Sequence, residues 1–234
     1  MISRIFSRSA LGFLVWGEMA NAYQYSEDYV RRITAEWQEA VRRDYNHPSI
    51  VTWVPMNESW GVPDLSTDRT QVKHLLAMYY LTRSLDGSRL VVSNDGWEHA
   101  LTDLCTVHDY GDAESLGRNH ATVESSLASE PAGRPIHARG HGYRGEPILV
   151  TEFGGIAFAG EEEGWGYSTV ANAEELLERY GALVSALLES EAVQGFCYTQ
   201  LTDVEQEVNG LLTYDRRPKA DLARIRKITS QEKR

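Results

Sequence analysis

The run SIVTWVPMNESWG, residues 49–61, decides how the chain is read. Residues 50–56 are apolar but for Thr52, with none of the alternation of a half-solvated strand, so the segment reads as a strand buried on both faces. It ends on Asn57 and Glu58 and enters a glycine-containing loop. PILVTEFGG, residues 147–155, repeats that form with Glu152 at its polar end. Two glutamates that close buried strands point to acetal chemistry. Breaking a bond between sugars through an oxocarbenium-like transition state takes a proton donor for the leaving oxygen and a second carboxylate at the reacting carbon. In a parallel barrel the C-terminal strand ends share one mouth, which brings together residues that are distant in sequence.

Outward from residue 49, the spacing of Val30, Ile33, Trp37 and Val41 behind a Ser26 cap predicts a helix ending near Asp44. Leu11 to Glu18 reads as an earlier strand. Beyond Gly61, Val72, Leu75, Leu76, Tyr79 and Tyr80 mark a second helix, followed by strands at RLVVSND and LCTVHDY. Residues 111–146, rich in Gly, Ser, Arg and His, read as an extended loop with one short helix. After PILVTEF, the periodicity of Leu176 to Leu188 predicts a long helix, QGFCYTQ a sixth strand, and a basic helix opens at Pro218. Apolar strands alternating with amphipathic helices indicate an α/β fold with a parallel sheet. The expectation is a (β/α)8 barrel with six of its eight strands present.

The 234 residues, 42% hydrophobic, suit one α/β domain. A formal charge of -11 without a basic stripe excludes a nucleic-acid partner. No apolar run is long enough to span a bilayer. Cys105 and Cys197 are expected as buried strand thiols rather than a disulfide or metal ligands. Arg4, Arg8, ALGFLVWG and the Ala20-Asn21-Ala22 triplet have the form of a secretory leader. The strand reading of that stretch is preferred, and with it a cytoplasmic location. His137 and His141 are expected to be solvated, since neighbouring glycines disfavour the helix that an i, i+4 metal pair needs. Glu161 to Glu163 are read as an exposed acidic face and the C-terminal RIRKITSQEKR as a solvated helix end.

The ordered set LGFLVWGEM, DYNHPSIVTWVPMNESWG, NDGWEH, HDY, PILVTEFGG and GFCYTQLTDVEQEVNGLLTYDRRPK resembles the catalytic barrel of glycoside hydrolase family 2, the family of β-galactosidases, β-glucuronidases and β-mannosidases. The resemblance implies that Glu58 is the general acid/base at the end of the fourth barrel strand and Glu152 the nucleophile at the end of the seventh. It implies a retaining mechanism, which needs carboxyl groups roughly 5 to 5.5 Å apart. It places Asn57 beside the substrate's 2-hydroxyl and Tyr110 against the nucleophile, and puts Tyr198 where relatives often carry Trp. Glu18 aligns with an acidic residue that is a metal ligand in some relatives; its companion histidine is not found, and neither a metal nor a cofactor is expected. Residues 1–234 are then a partial catalytic domain, without the β-sandwich domains and the first two βα units that the family places before its third strand. That incompleteness predicts self-association or completion by another polypeptide, and its alternative outcome is an inactive fragment that binds sugar weakly.

Other strand-end residues are candidates on chemical grounds. His108 could donate to a hydroxyl or serve the backbone. Asn94, Asp95, Trp97 and Glu98 suit the hydroxyl edge and apolar face of a sugar, although Asn-Asp-Gly also favours a turn. Trp60 reads as a sugar platform or a loop anchor. Gln200 and Asp203 follow the last strand. The expected substrate is a terminal β-linked neutral sugar, galactose first, because no basic pair for a sugar carboxylate is evident.

Overall fold

The computed structural model describes residues 12–158 and 164–232. Its strands are β1 (Val15–Glu18), β2 (Ile50–Val54), β3 (Leu90–Val91), β4 (Cys105–Asp109), β5 (Ile148–Gly154), β6 (Ile156–Ala157), β7 (Ser168–Thr169) and β8 (Val193–Thr199). The helices are α1 (Glu27–Asp44), α2 (Arg69–Leu85), α3 (Ala113–Asn119), α4 (Val123–Ala128), α5 (Ala173–Glu189) and α6 (Leu222–Thr229). The chain divides into two compact units, Met1–Thr106 with Arg134–Pro147 and Val107–Gly133 with Ile148–Arg234.

In the first unit β1, β2 and β3 form a parallel sheet in that order. Helix α1 starts where Ser26 accepts a hydrogen bond from the Tyr29 amide at 3.1 Å, with Glu27 and Asp28 in its positive first turn and Arg42 and Arg43 in its last. Its buried stripe of Tyr29, Ile33, Trp37 and Val41 meets Leu75, Met78 and Tyr79 of α2 and Ile50 and Trp53 of β2. The two large indoles meet edge to face, 5.8 Å apart. Each buried N–H is satisfied, Trp37 by Thr82 at 2.8 Å and Trp53 by Asp86 at 2.9 Å.

The Asp86 side chain is fully buried and also accepts from Arg89 at 2.6 Å and from the Ser88 amide and hydroxyl. Burial alone would raise its pKa, but the hydrogen bonds from Ser88, Trp53 and Arg89 outweigh it and hold the carboxyl below its ordinary value. Asp86→Ala leaves Arg89 and the Trp53 indole without their anion, an expected loss of about 3–5 kcal/mol. Because the folded value is lowered, this contribution is complete above the unfolded pKa of about 3.9 and fades as pH falls below it. The gap between wild type and Asp86→Ala in urea unfolding should therefore narrow from pH 7 to pH 3; an unchanged gap contradicts the assignment.

In the second unit the order is β4-β5-β8, with β6 and β7 a short parallel pair. Helix α5, capped by Asn172, turns Leu176, Leu177, Tyr180, Leu183, Val184 and Leu187 onto Val150, Phe153 and Val193. Opposite Val150 and Phe153, β8 supplies Phe196 and Tyr198. Three steps in β5 therefore span two in β8, so β5 carries one extra residue around Thr151 and Glu152, a β-bulge.

All six expected strands form, in parallel sheets. Several boundaries differ. The first strand begins at Val15 rather than Leu11, and the residues before Gly12 lie outside the described ones, as do Glu161 to Glu163. RLVVSND is a strand only at Leu90 and Val91, because the chain from Asn94 turns inward. The expected loop holds two helices, α3 and α4, started by the side-chain caps Asp112 and Thr122. The final helix opens after an Asp221 cap, not at Pro218. Cys197 is exposed, since it alternates with Phe196 and Tyr198, whose rings turn onto Phe153. His137 is not solvated: it is half-buried, with its ring edge-on to the buried His99. Among the described residues no helix is long and apolar enough to cross a membrane.

Candidate active site

In the first unit the site is built on the turn that follows β2. Asn57 accepts from the Trp60 amide at 2.9 Å, and between them Glu58 and Ser59 have φ of 51° and 58°. Positive φ at both central positions marks a type I′ turn, a conformation that glycine and asparagine adopt readily and glutamate does not. The segment around Asn94 holds it there. Asn94 Oδ1 accepts from the Ser59 amide at 2.9 Å, Asn94 Nδ2 donates to Ser59 Oγ and to the Trp97 carbonyl, and the Asp95 carbonyl accepts from the Glu58 amide. Glu98, itself at φ 47°, accepts from Ser59 Oγ at 2.6 Å and pairs with Arg134 at 2.8 Å.

Asn94, Asp95 and Glu98 are thus buried and engaged internally, which corrects the expectation that they face a sugar. Their polar atoms satisfy the strained turn instead. Trp97 is nearly buried, and with Glu58, Trp60, Tyr23 and Arg134 it lines a cavity of about 180 Å³. Glu18, Asn57, Trp60 and Tyr23 line a second, more open space of about 520 Å³. Asn57 Oδ1 is buried there without a hydrogen-bond partner among the described residues, a cost that a donor from a bound molecule would remove.

In the second unit the site surrounds the β5 bulge. Tyr110 donates a short hydrogen bond to Glu152 Oε2, and the fully buried His108 places Nδ1 3.7 Å from the same oxygen. Burial first, then the Glu152 charge and this hydrogen bond, hold the Tyr110 hydroxyl far above its ordinary pKa, so it is a donor at all working pH. The Tyr110 ring lies flat on Tyr167. Gly155, at φ 54°, permits this: a Cβ there would lie 2.4 Å from Tyr167 and 3.2 Å from Tyr110. Gly154, at φ 88°, makes room for Tyr198 in the same way.

Tyr198 and Gln200 are occupied with the following loop. The Tyr198 hydroxyl donates to the Asn209 carbonyl and accepts from the Ile156 amide, while the Gln200 amide reaches Glu207 at 2.9 Å and Asn209 at 2.7 Å. Asp203 is buried against Lys219 at 2.7 Å and serves the backbone at Gly210. Tyr23, Arg134 and Tyr167 were not expected. Each lies in a segment without periodicity, and only Tyr167, directly after Gly164 and Gly166, had a composition suited to close ring packing.

The chain matches, over residues 9–233, the model described as glycosyl hydrolases family 2, TIM barrel domain. It belongs to that family. A β-glucuronidase of Paenibacillus borealis is 26% identical over 235 residues, covering 93% of this chain and 37% of the relative. Among solved structures, Bifidobacterium dentium β-glucuronidase complexed with coumarin-3-O-glucuronide has a TM-score of 0.71 at 18% identity, over 99% of this chain and 40% of that one. A family 2 β-galacturonidase from Eisenbergiella tayi bound to galacturonate has a TM-score of 0.67 at 20% identity, over 97% and 42%. This family 2 chain therefore has the fold of part of those enzymes' TIM barrel, its described strands forming separate parallel sheets, and spans about two fifths of their length.

Proposed function

We propose that this chain carries the chemistry of a retaining, exo-acting β-glycosidase with Glu152 as nucleophile and Glu58 as acid/base. The observation that carries the reading is the hydrogen-bonded carboxylate of Glu152 at a β-bulge, at the C-terminal end of a parallel strand in a family 2 domain. Glu152 attacks the anomeric carbon as the glycosidic C–O bond breaks, and Glu58 gives its proton to the departing oxygen. Glu58, now a carboxylate, takes a proton from water, which attacks the same carbon and releases the sugar and the Glu152 carboxylate. Asn57, with its unsatisfied buried oxygen, is assigned to a sugar hydroxyl, Glu18 to the rim of the sugar site, and His108 to the support of Glu152.

The names of the matched relatives favour a β-uronide, glucuronide first, over the neutral galactoside suggested by the lack of an evident basic pair for a sugar carboxylate. Incubation with 2-deoxy-2-fluoro-β-D-glucuronyl fluoride and its galactosyl counterpart, followed by intact-mass and peptide analysis, tests the reading. A gain of one sugar mapped to Glu152 supports it, and the reagent that labels names the sugar. Label on another residue overturns the assignment.

The Tyr110 hydroxyl stabilises the charged form of Glu152. Tyr110→Phe should lower kcat/KM by about 10- to 100-fold, the worth of one hydrogen bond to a charged group. Loss of that donor raises the carboxyl's pKa, so the acid limb of the kcat/KM profile should move to higher pH. A uniform drop with an unmoved limb would show that Tyr110 only packs.

A further inference from the structure

Trp60 and Tyr23 are 45% and 82% exposed, whereas Trp37, Trp53 and Trp97 are buried; Trp165, at 44%, is exposed as well. Their rings meet edge to face at 5.3 Å, forming an aromatic corner beside Glu58. Trp60 is fixed to Glu58 by the turn itself, two residues away and tied by its amide to Asn57. On the other wall Arg134 commits Nη1 to Glu98 and to the Pro63 carbonyl at 3.1 Å, and the buried Glu98 neutralises its charge. The guanidinium is held in place and about a third exposed, so it offers donors without making the pocket an anion site. At about 180 Å³ the cavity has room for about six waters, or one ring.

We propose that the Trp60–Tyr23 corner with Arg134 is the leaving-group subsite, which takes a single neutral ring with a flat apolar face and a hydroxyl-bearing edge. This rests on Glu58 being the acid/base, because the group that receives its proton departs on its side. Two sources have that chemistry, a second sugar and a phenolic aglycone.

The test compares wild type, Trp60→Ala and Trp60→Phe on the phenyl β-glycoside, a disaccharide and the glycosyl fluoride of one sugar. Loss of the indole face should lower kcat/KM for ring-bearing substrates by roughly tenfold. The fluoride, which places no ring in the corner, should lose clearly less than the ring-bearing substrates, and Trp60→Phe should recover most of the loss. A loss confined to the disaccharide, or to the phenyl glycoside, identifies which ring the subsite takes. Equal losses on all three substrates overturn the subsite and leave the Glu152 and Glu58 assignment intact. If wild type turns over none of them, that assignment fails instead, and saturation-transfer NMR of the phenyl glycoside and disaccharide reads the subsite directly. Binding in wild type that disappears in Trp60→Ala upholds it; binding that is absent or unaffected overturns it.

Discussion

Glu152→Gln should reduce hydrolysis by about 10⁴-fold or more, as removal of a covalent nucleophile does in other enzymes that act through one. The substitution keeps the side chain's size and lets Tyr110 still donate to the remaining carbonyl oxygen, so the fold has no reason to respond. A cooperative thermal transition within a degree or two of wild type, with no label from the fluorinated sugars, is the expected pair of results. Measurable turnover near the wild-type rate would remove Glu152 from the mechanism. The strength of this test lies in the local geometry: the bulge re-aims one residue of β5, and the charge at stake is the one that Tyr110 and His108 surround.

The second large effect concerns Glu58 and depends on the substrate. General acid catalysis contributes typically 10²- to 10⁴-fold, and Glu58→Gln should cost that much with an alkyl or sugar leaving group. With a dinitrophenolate, which departs without protonation, the first step should be nearly intact and the covalent sugar on Glu152 should accumulate as a burst. Similar losses for both leaving groups would show that Glu58 shapes the site without transferring a proton.

How far the residues alone revealed this arrangement depends on the kind of signal. The strand ends were legible because an apolar run that stops at a glutamate is a pattern within a few residues, and β1, β2 and β5 form where those runs lie. Helices α1, α2 and α5 were legible from periodicity, since burial of one face is what defines them. Of helices α3 and α4 only one short helix was expected and neither was placed, because six or seven residues hold too few apolar positions to repeat, and the caps at Asp112 and Thr122 carry the signal instead. The reversal at Asn94 was not visible. A polar Asn-Asp-Gly segment looks the same whether its side chains face a ligand or complete a neighbouring turn, and only the position of Ser59 decides. Arg134 and Tyr167 likewise acquire their places through packing between segments, which no local pattern encodes.

The turn at Glu58 has one more implication. An L-residue in the left-handed region costs roughly 1–2 kcal/mol relative to glycine, and here two successive positions incur it. Glycine at residue 58 would relax the backbone and leave Asn94, Asp95 and Glu98 bonded as they are, so folding and the acid/base role proposed for Glu58 pull this position in opposite directions. A population of sequences selected for thermal endurance alone would drift toward glycine there, and one selected for turnover would return to the carboxylate. Residue 58 thus separates what the chain requires in order to persist from what it requires in order to act.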